Sequence, residues 1–147
     1  MNIVPENTSG VYASDDRDKM DIDFIYNNLK TLYWALNLTR ENLVGRMMNS
    51  MCFGVFIGER QIGFARVITD YFSFAYLADV FIDENYRGRG LGKWLVNMIL
   101  AHPDLQGLRR IMLATRDAHK LYEQLGFIAM PNPDRYMVYN PQPNKNK

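Results

Sequence analysis

Three glycines at alternate positions, Gly88, Gly90 and Gly92, stand between an apolar run and an amphipathic one, with Arg87, Arg89 and Lys93 interleaved among them. Residues without a Cβ let the backbone turn tightly and approach a ligand closely, and the unpaired N–H groups that open a following helix aim at one anion. The chemistry such a loop supports is the holding of a phosphate or pyrophosphate. The other reading is a turn that merely starts a helix, its basic residues solvated. Two other phosphate loops do not fit. A Walker A loop would need glycine where Arg87 stands and a hydroxyl where Trp94 follows Lys93, and a dinucleotide fingerprint counted from Gly88 would need its third glycine at Lys93.

Few other residues are placed to do chemistry. Asp79 is a carboxylate in an otherwise apolar segment, where an unpaired charge is costly and tends to have a task. It reads either as a proton acceptor or as the buried partner of an arginine such as Arg66. Arg66, between Phe64 and Ile68, reads in turn as a receptor for a carboxylate or as the partner of Asp79 or Asp70. Tyr122 shares a helical face with Leu121 and Leu125, which by pattern alone is core packing. His102 and His119 are isolated, and Cys52 is the single cysteine, so neither a metal cluster nor an internal disulfide can be assembled and no metal is expected.

The elements that must position these residues follow from the switching period of the apolar pattern. Val11 to Ala13 reads as a first strand. Ile22, Ile25, Leu29, Leu32 and Leu36 mark one face of a helix with Asp21 near its start, and a second helix opens at Thr39 with Leu43, Met47 and Met48 on one side. Three strands follow, over Cys52 to Ile57, Ile62 to Thr69 and Phe74 to Ile82; the last is apolar on both faces except at Asp79, as a central strand requires. Leu91, Trp94, Leu95, Met98 and Ile99 then form a helical stripe that ends at His102-Pro103. Arg110 to Thr115 reads as a strand, Asp117 to Leu125 as a helix, and Phe127 onward as closing strands. This order predicts an α/β fold with a mixed, mostly antiparallel central sheet flanked by helices.

With 147 residues, 48% hydrophobic and 22% charged, the chain is expected to form one domain over residues 1–140, with a disordered tail at 141–147. A chain of this length buries roughly 70% of its extended surface and needs no covalent staple. Seventeen Lys and Arg against sixteen Asp and Glu leave a net charge of +1, no field to gather nucleic acid or a membrane surface. Met1 to Gly10 is polar and unlike a signal peptide, and no apolar stretch is long enough to span a bilayer, so the expected location is cytoplasmic.

The loop and its surroundings resemble the GCN5-related N-acetyltransferase (GNAT) superfamily. Arg87, Gly90 and Gly92 fall at the specified places of the Arg/Gln-x-x-Gly-x-Gly/Ala element; YLADVFIDENYRGRGLGKWLV is similar to that family's fourth strand, pyrophosphate loop and third helix, and AHKLYEQLGF to a later segment. The resemblance is strongest from Gly54 to Ile128. It implies the acyl-CoA N-acyltransferase fold, acetyl-CoA as acyl donor and direct transfer of acetyl to an amine. It further implies that exposed backbone at Val80, Phe81 and Ile82 pairs with pantetheine amides, that Arg87, Gly88, Arg89, Gly90, Leu91, Gly92 and Lys93 hold the pyrophosphate, and that Tyr122 protonates the departing thiolate. Thr115 stands where many relatives carry an asparagine, its hydroxyl shorter in reach, with Asp117 or Arg116 to compensate and Ala118 beside them; that departure bears on the contacts with the donor. Asp79 becomes the candidate base, though Ala78 replaces the glutamate that precedes it in polyamine-type relatives.

On the same resemblance the acceptor site is expected between the first two helices and the turn before the fourth strand, at Tyr33, Trp34, Phe72 and Phe74, with Tyr76 on the strand. Such aromatic residues stack on apolar or cationic groups, while Tyr33 and Trp34 equally complete a helix's apolar face. The partners expected are acetyl-CoA and an amine of unspecified kind, with neither nucleic acid nor membrane; the closing strands leave a homodimer open. Two alternatives stand beside the enzyme: a CoA-binding sensor or interaction module without turnover, and an acyltransferase with another donor or acceptor.

Overall fold

A computed structural model describes residues 9–32, 35 and 37–142. Its centre is a five-stranded sheet in the order β1 (Val11–Ser14), β2 (Met51–Ile57), β3 (Arg60–Thr69), β4 (Phe74–Ile82) and β5 (Arg110–Met112). The first three pairings are antiparallel and the last, β4 with β5, is parallel. The mixed, mostly antiparallel sheet expected from the sequence is therefore the one observed.

Helices cover both faces. On one side α1 (Ile22–Leu29) and α2 (Arg40–Met48) bury Ile25, Leu29, Leu43 and Met47 against Cys52, Phe64 and Phe81. On the other, α3 (Leu91–Leu100) buries Leu91, Trp94, Leu95, Val96 and Ile99 against Phe53, Val55, Ala65, Val67 and Leu77. The short α4 (His119–Glu123) adds Tyr122 to the edge of that second core. Asp21 and Thr39 cap α1 and α2 by accepting the amides of Phe24 and Asn42, a contribution of about 1 kcal/mol each. Buried Gln61 ties the start of α1 to β3, accepting from the Asp21 amide and donating to the Gly63 carbonyl.

Four sequence expectations are corrected. The first helix ends at Leu29 rather than continuing to Leu36. The Asn28 side chain donates to the Phe24 carbonyl, and both the amide and the hydroxyl of Thr31 bond to the Asn28 carbonyl, which closes the last turn. Leu32 still packs on the α1–α2 core, while Leu36 lies outside the described residues. Met48 does not join Leu43 and Met47 but is exposed. The fifth strand stops at Met112. The closing strands from Phe127 are not formed among the described residues, where the segment is irregular around a 3-10 turn at Pro133–Arg135 and its Met137, Val138 and Tyr139 face solvent.

What positions the site is an irregularity in β4. Ala75 and Leu77 face the α3 side and Phe81 the α1–α2 side, so the inside-outside alternation changes phase between them. Ladder partners run Arg66 with Ala78 and then Phe64 with Phe81, leaving Asp79 and Val80 opposite Ala65 alone. Asp79 sits at φ 56°, in the left-handed region. This is a β-bulge, which bends the strand and re-aims its side chains.

Candidate active site

β4 and β5 are paired only at Phe74–Arg110, Ala75–Ile111 and Tyr76–Met112. Beyond Tyr76, β4 continues to Ile82 while the chain after Met112 leaves the ladder. Between the two opens a cleft of about 950 Å³, lined on one side by Leu77 to Ile82 and on the other by Leu113 to Ala118, Leu121 and Tyr122. The strand edge that β5 no longer covers thus faces a cavity, and its amides and carbonyls are available to an extended ligand.

The glycine loop closes one end. Gly88 and Gly90 both have φ 78°, a conformation that a Cβ disfavours. Gly90 is the N-cap of α3, and unlike Asp21 and Thr39 it brings no side chain to the first-turn amides; no acid lies in that turn either. The positive end of α3 is left for an external anion. Arg87 and Lys93 line the same end, Arg87 held by a bond from Nε to the Ile82 carbonyl and Lys93 by one from Nζ to Gln124 Oε1. A Cβ built on Gly92 would meet only Ile82 Cγ1, at 3.8 Å, so the chain's own packing leaves that position open.

At mid-cleft lie Arg66, Asp79 and Tyr76. Arg66 Nε donates to Asp79 Oδ2 and Arg66 Nη1 to Ser50 Oγ, each at 2.9 Å, and the Ser50 hydroxyl donates to the Arg46 carbonyl. The side chains of Arg66 and Asp79 are only 8% and 4% exposed. Of the two readings of Asp79, pairing with Arg66 is realised, and the pair borders the cleft. Beneath it, burial raises the Cys52 thiol above its ordinary pKa. Tyr122, on α4, borders the cleft with its ring edge-on to Phe127. Thr115 Oγ accepts the Ala118 amide and so shapes the turn into α4.

Most of the residues singled out from sequence therefore converge: Val80, Phe81, Ile82, Arg87, Gly88, Gly90, Leu91, Gly92, Lys93, Thr115, Asp117, Ala118, Tyr122, Asp79 and Tyr76 share one cleft. Two do not join it. Arg89 lies over the Tyr86 ring, 5.3 Å from its centroid. Phe72 is 86% exposed at the β3–β4 turn, where Asp70 gathers the amides of Phe72, Ser73 and Phe74 and throws the ring outward. Tyr33 and Trp34 lie outside the described residues. Arg116, named beside Thr115, lines the cleft too, and Leu77, Ala78, Tyr86, Leu113, Ala114 and Leu121 do so without having been singled out as site residues. The signal for Leu113 and Ala114 was present, since they extend an apolar strand past the point where it can pair.

Among the described residues no group of His, Cys, Asp or Glu is arranged to hold a metal, and no helix is long and apolar enough to cross a membrane.

Comparison with known proteins bears on what such a cleft holds. Residues 15–127 match the Acetyltransferase (GNAT) family. The chain is 33% identical over 143 residues to a Gibberella zeae protein named as a candidate acetyltransferase, the match covering 80% of each. The crystal structure of a candidate GNAT-family acetyltransferase from Xanthomonas campestris pv. campestris superposes with a TM-score of 0.86 at 44% identity, over 88% of this chain and 92% of that one. A GNAT family acetyltransferase from Elizabethkingia anophelis, solved with acetyl-CoA bound, superposes with a TM-score of 0.64 over 84% of this chain and 80% of that one; at 12% identity the likeness is one of fold.

Proposed function

The chain belongs to the acetyltransferase (GNAT) family, and from that premise we propose that it moves the acetyl group of acetyl-CoA directly onto an amine. The observation that carries this reading is the meeting, in one cleft, of the uncapped start of α3, the unpaired edge of β4 and the Tyr122 side chain. An anion, an extended amide-bearing arm and a leaving group in sequence are what those three features suit.

Acetyl-CoA supplies an activated acyl thioester. The backbone amides from Arg87 to Lys93 hold its pyrophosphate, with the side chains of Arg87 and Lys93 adding charge; Gly92 leaves the room a diphosphate needs. Val80, Phe81 and Ile82 offer strand-edge hydrogen bonds to the pantetheine arm, and Thr115, Asp117 and Ala118 border it from across the cleft. Tyr122 holds a proton where negative charge develops on sulfur, a contribution of about 10²- to 10⁴-fold in rate. Asp79 holds the acceptor's ammonium, whose proton must leave before nitrogen can attack.

The test is calorimetric titration with acetyl-CoA beside a thermal melt. Saturable 1:1 binding is expected, and at about 100 times the dissociation constant the ligand stabilises the fold by about 2.7 kcal/mol. Absence of binding at millimolar ligand would overturn the reading.

A further inference from the structure

We propose that the acceptor is an amine that carries its own carboxylate, an amino acid or similar zwitterion, recognised by the Arg66–Asp79 pair as a unit. This rests on the acetyl-transfer reading above and names the acceptor class that reading leaves open.

The pair leaves two of its polar atoms unused. Arg66 spends Nε on Asp79 and Nη1 on Ser50, and Asp79 spends Oδ2 on Arg66. Among the described residues, Arg66 Nη2 and Asp79 Oδ1 have no partner, and both residues line the cleft. The guanidinium is planar and is gripped at two of its three nitrogens, and Ser50 is itself anchored on the Arg46 carbonyl, so the free nitrogen has a set direction. Asp79 is fixed by the bulge that carries it. The cleft wall therefore presents one cationic donor and one anionic acceptor side by side, on side chains more than nine-tenths buried.

Both atoms open onto the cleft, since Trp94 Nε1 is the one sealed side-chain polar atom without a partner among the described residues, and a single ligand that answers both has an ammonium and a carboxylate close together. A simple amine would answer Asp79 and leave Arg66 unanswered; an anion would do the reverse. The charges agree as well. The pair is neutral as a unit, and a zwitterion brings no net charge into the cleft, where an uncompensated one would be costly. A well-packed apolar pair would serve β3 and β4 equally well as structure, so the placement of these two charges beside the bulge, within the cleft, is best matched to recognition. Tyr76, half-buried on the same wall, is available to the acceptor's side chain.

The step balances without a further reactant. The ammonium loses a proton to solvent, and the neutral nitrogen forms a bond to the acetyl carbonyl carbon. The carbon–sulfur bond breaks, and the second nitrogen proton replaces the one Tyr122 gives to sulfur. The products are an N-acetyl amino acid, the free thiol and one proton.

The experiment is a thiol-release assay with wild-type protein and acetyl-CoA on the twenty amino acids and β-alanine, each beside its methyl ester and its decarboxylated amine. At least one amino acid is expected to exceed its ester and its plain amine in kcat/KM by about tenfold or more, the worth of one charge-assisted hydrogen bond. Asp79→Asn, which keeps a residue tolerant of the left-handed conformation, and Arg66→Lys, which keeps the charge but not the fork, should narrow that gap by raising KM for the amino acid. Esters or plain amines turned over as well as the amino acids would overturn the inference, as would 1:1 binding of acetyl-CoA with no amino acid acetylated; either leaves the acetyltransferase reading standing. Failure to bind acetyl-CoA would overturn both.

Discussion

Removing Asp79 should destabilise the fold through Arg66. In Asp79→Ala the guanidinium keeps its bond to Ser50 and loses its counter-charge, at a position where the side chain is 8% exposed. Breaking a buried ion pair by deleting one partner costs about 3–5 kcal/mol. Because the pair borders an open cleft, water can reach the freed nitrogen, and the lower end, about 3 kcal/mol, applies. For a chain of this length about 1 kcal/mol moves the melting point by about 3–4 °C, so the expected fall is about 10 °C. The bulge adds a further effect of the same sign, since alanine tolerates the left-handed region less well than aspartate. Arg66→Met should fall by a similar amount, because it strands the Asp79 carboxylate. The double variant removes both charges together and should fall well short of the sum. Thermal melts of the four proteins form the cycle. Additive losses, or a single-variant shift below about 3 °C, would refute the claim that these residues act as a buried pair.

Gly92→Ala should leave the melting point unchanged or raise it slightly, since alanine favours the helix by about 1 kcal/mol and its methyl meets only Ile82, yet weaken acetyl-CoA about tenfold or more in the same calorimeter because it fills the anion's approach. Gly90→Ala should instead destabilise by about 1–2 kcal/mol, read from denaturant midpoints, through its φ of 78°. Tyr122→Phe should keep acetyl-CoA binding and the ring contact with Phe127 while lowering kcat by about 10²- to 10⁴-fold in a thiol-release assay. Asp70 is held below the usual carboxylate range, first by the Ser73 hydroxyl and then by the amides of Ser73, Phe72 and Phe74. A depressed carboxylate stabilises the fold above its unfolded value and loses that contribution as pH falls through the folded one. The melting point should therefore decline below about pH 4 in the wild type, and more shallowly in Asp70→Ala.

The loop and α3 were legible in the sequence because their determinants are local: glycine spacing, interleaved cations and a stripe from Leu91 to Ile99 all lie in one short segment. The bulge was not. Leu77, Ala78, Val80, Phe81 and Ile82 are apolar on both faces, so a phase change at Asp79 leaves the apolar pattern unaltered. The same blindness left two readings of Asp79, and only the register that sets Ala65 opposite two residues brings its carboxylate to Arg66. Periodicity misled at the end of α1, where Leu32 and Leu36 continue the helical spacing but Asn28 and Thr31 close the turn with their side chains. At Phe72 an aromatic residue near the expected site was turned outward by the hydrogen bonds of Asp70, a local effect weaker in pattern than the apolar character it overrides.

The central claim is that this cleft transfers acetyl from acetyl-CoA to an amine, and amine-dependent release of the CoA thiol, with the acetylated product identified by mass spectrometry, tests it most directly. The account predicts thiol and N-acetyl product in equal amounts, both suppressed in Tyr122→Phe at unchanged acetyl-CoA affinity. Binding of acetyl-CoA without any amine-dependent thiol release, across amino acids, polyamines, aminoglycosides and peptide N-termini, would contradict it.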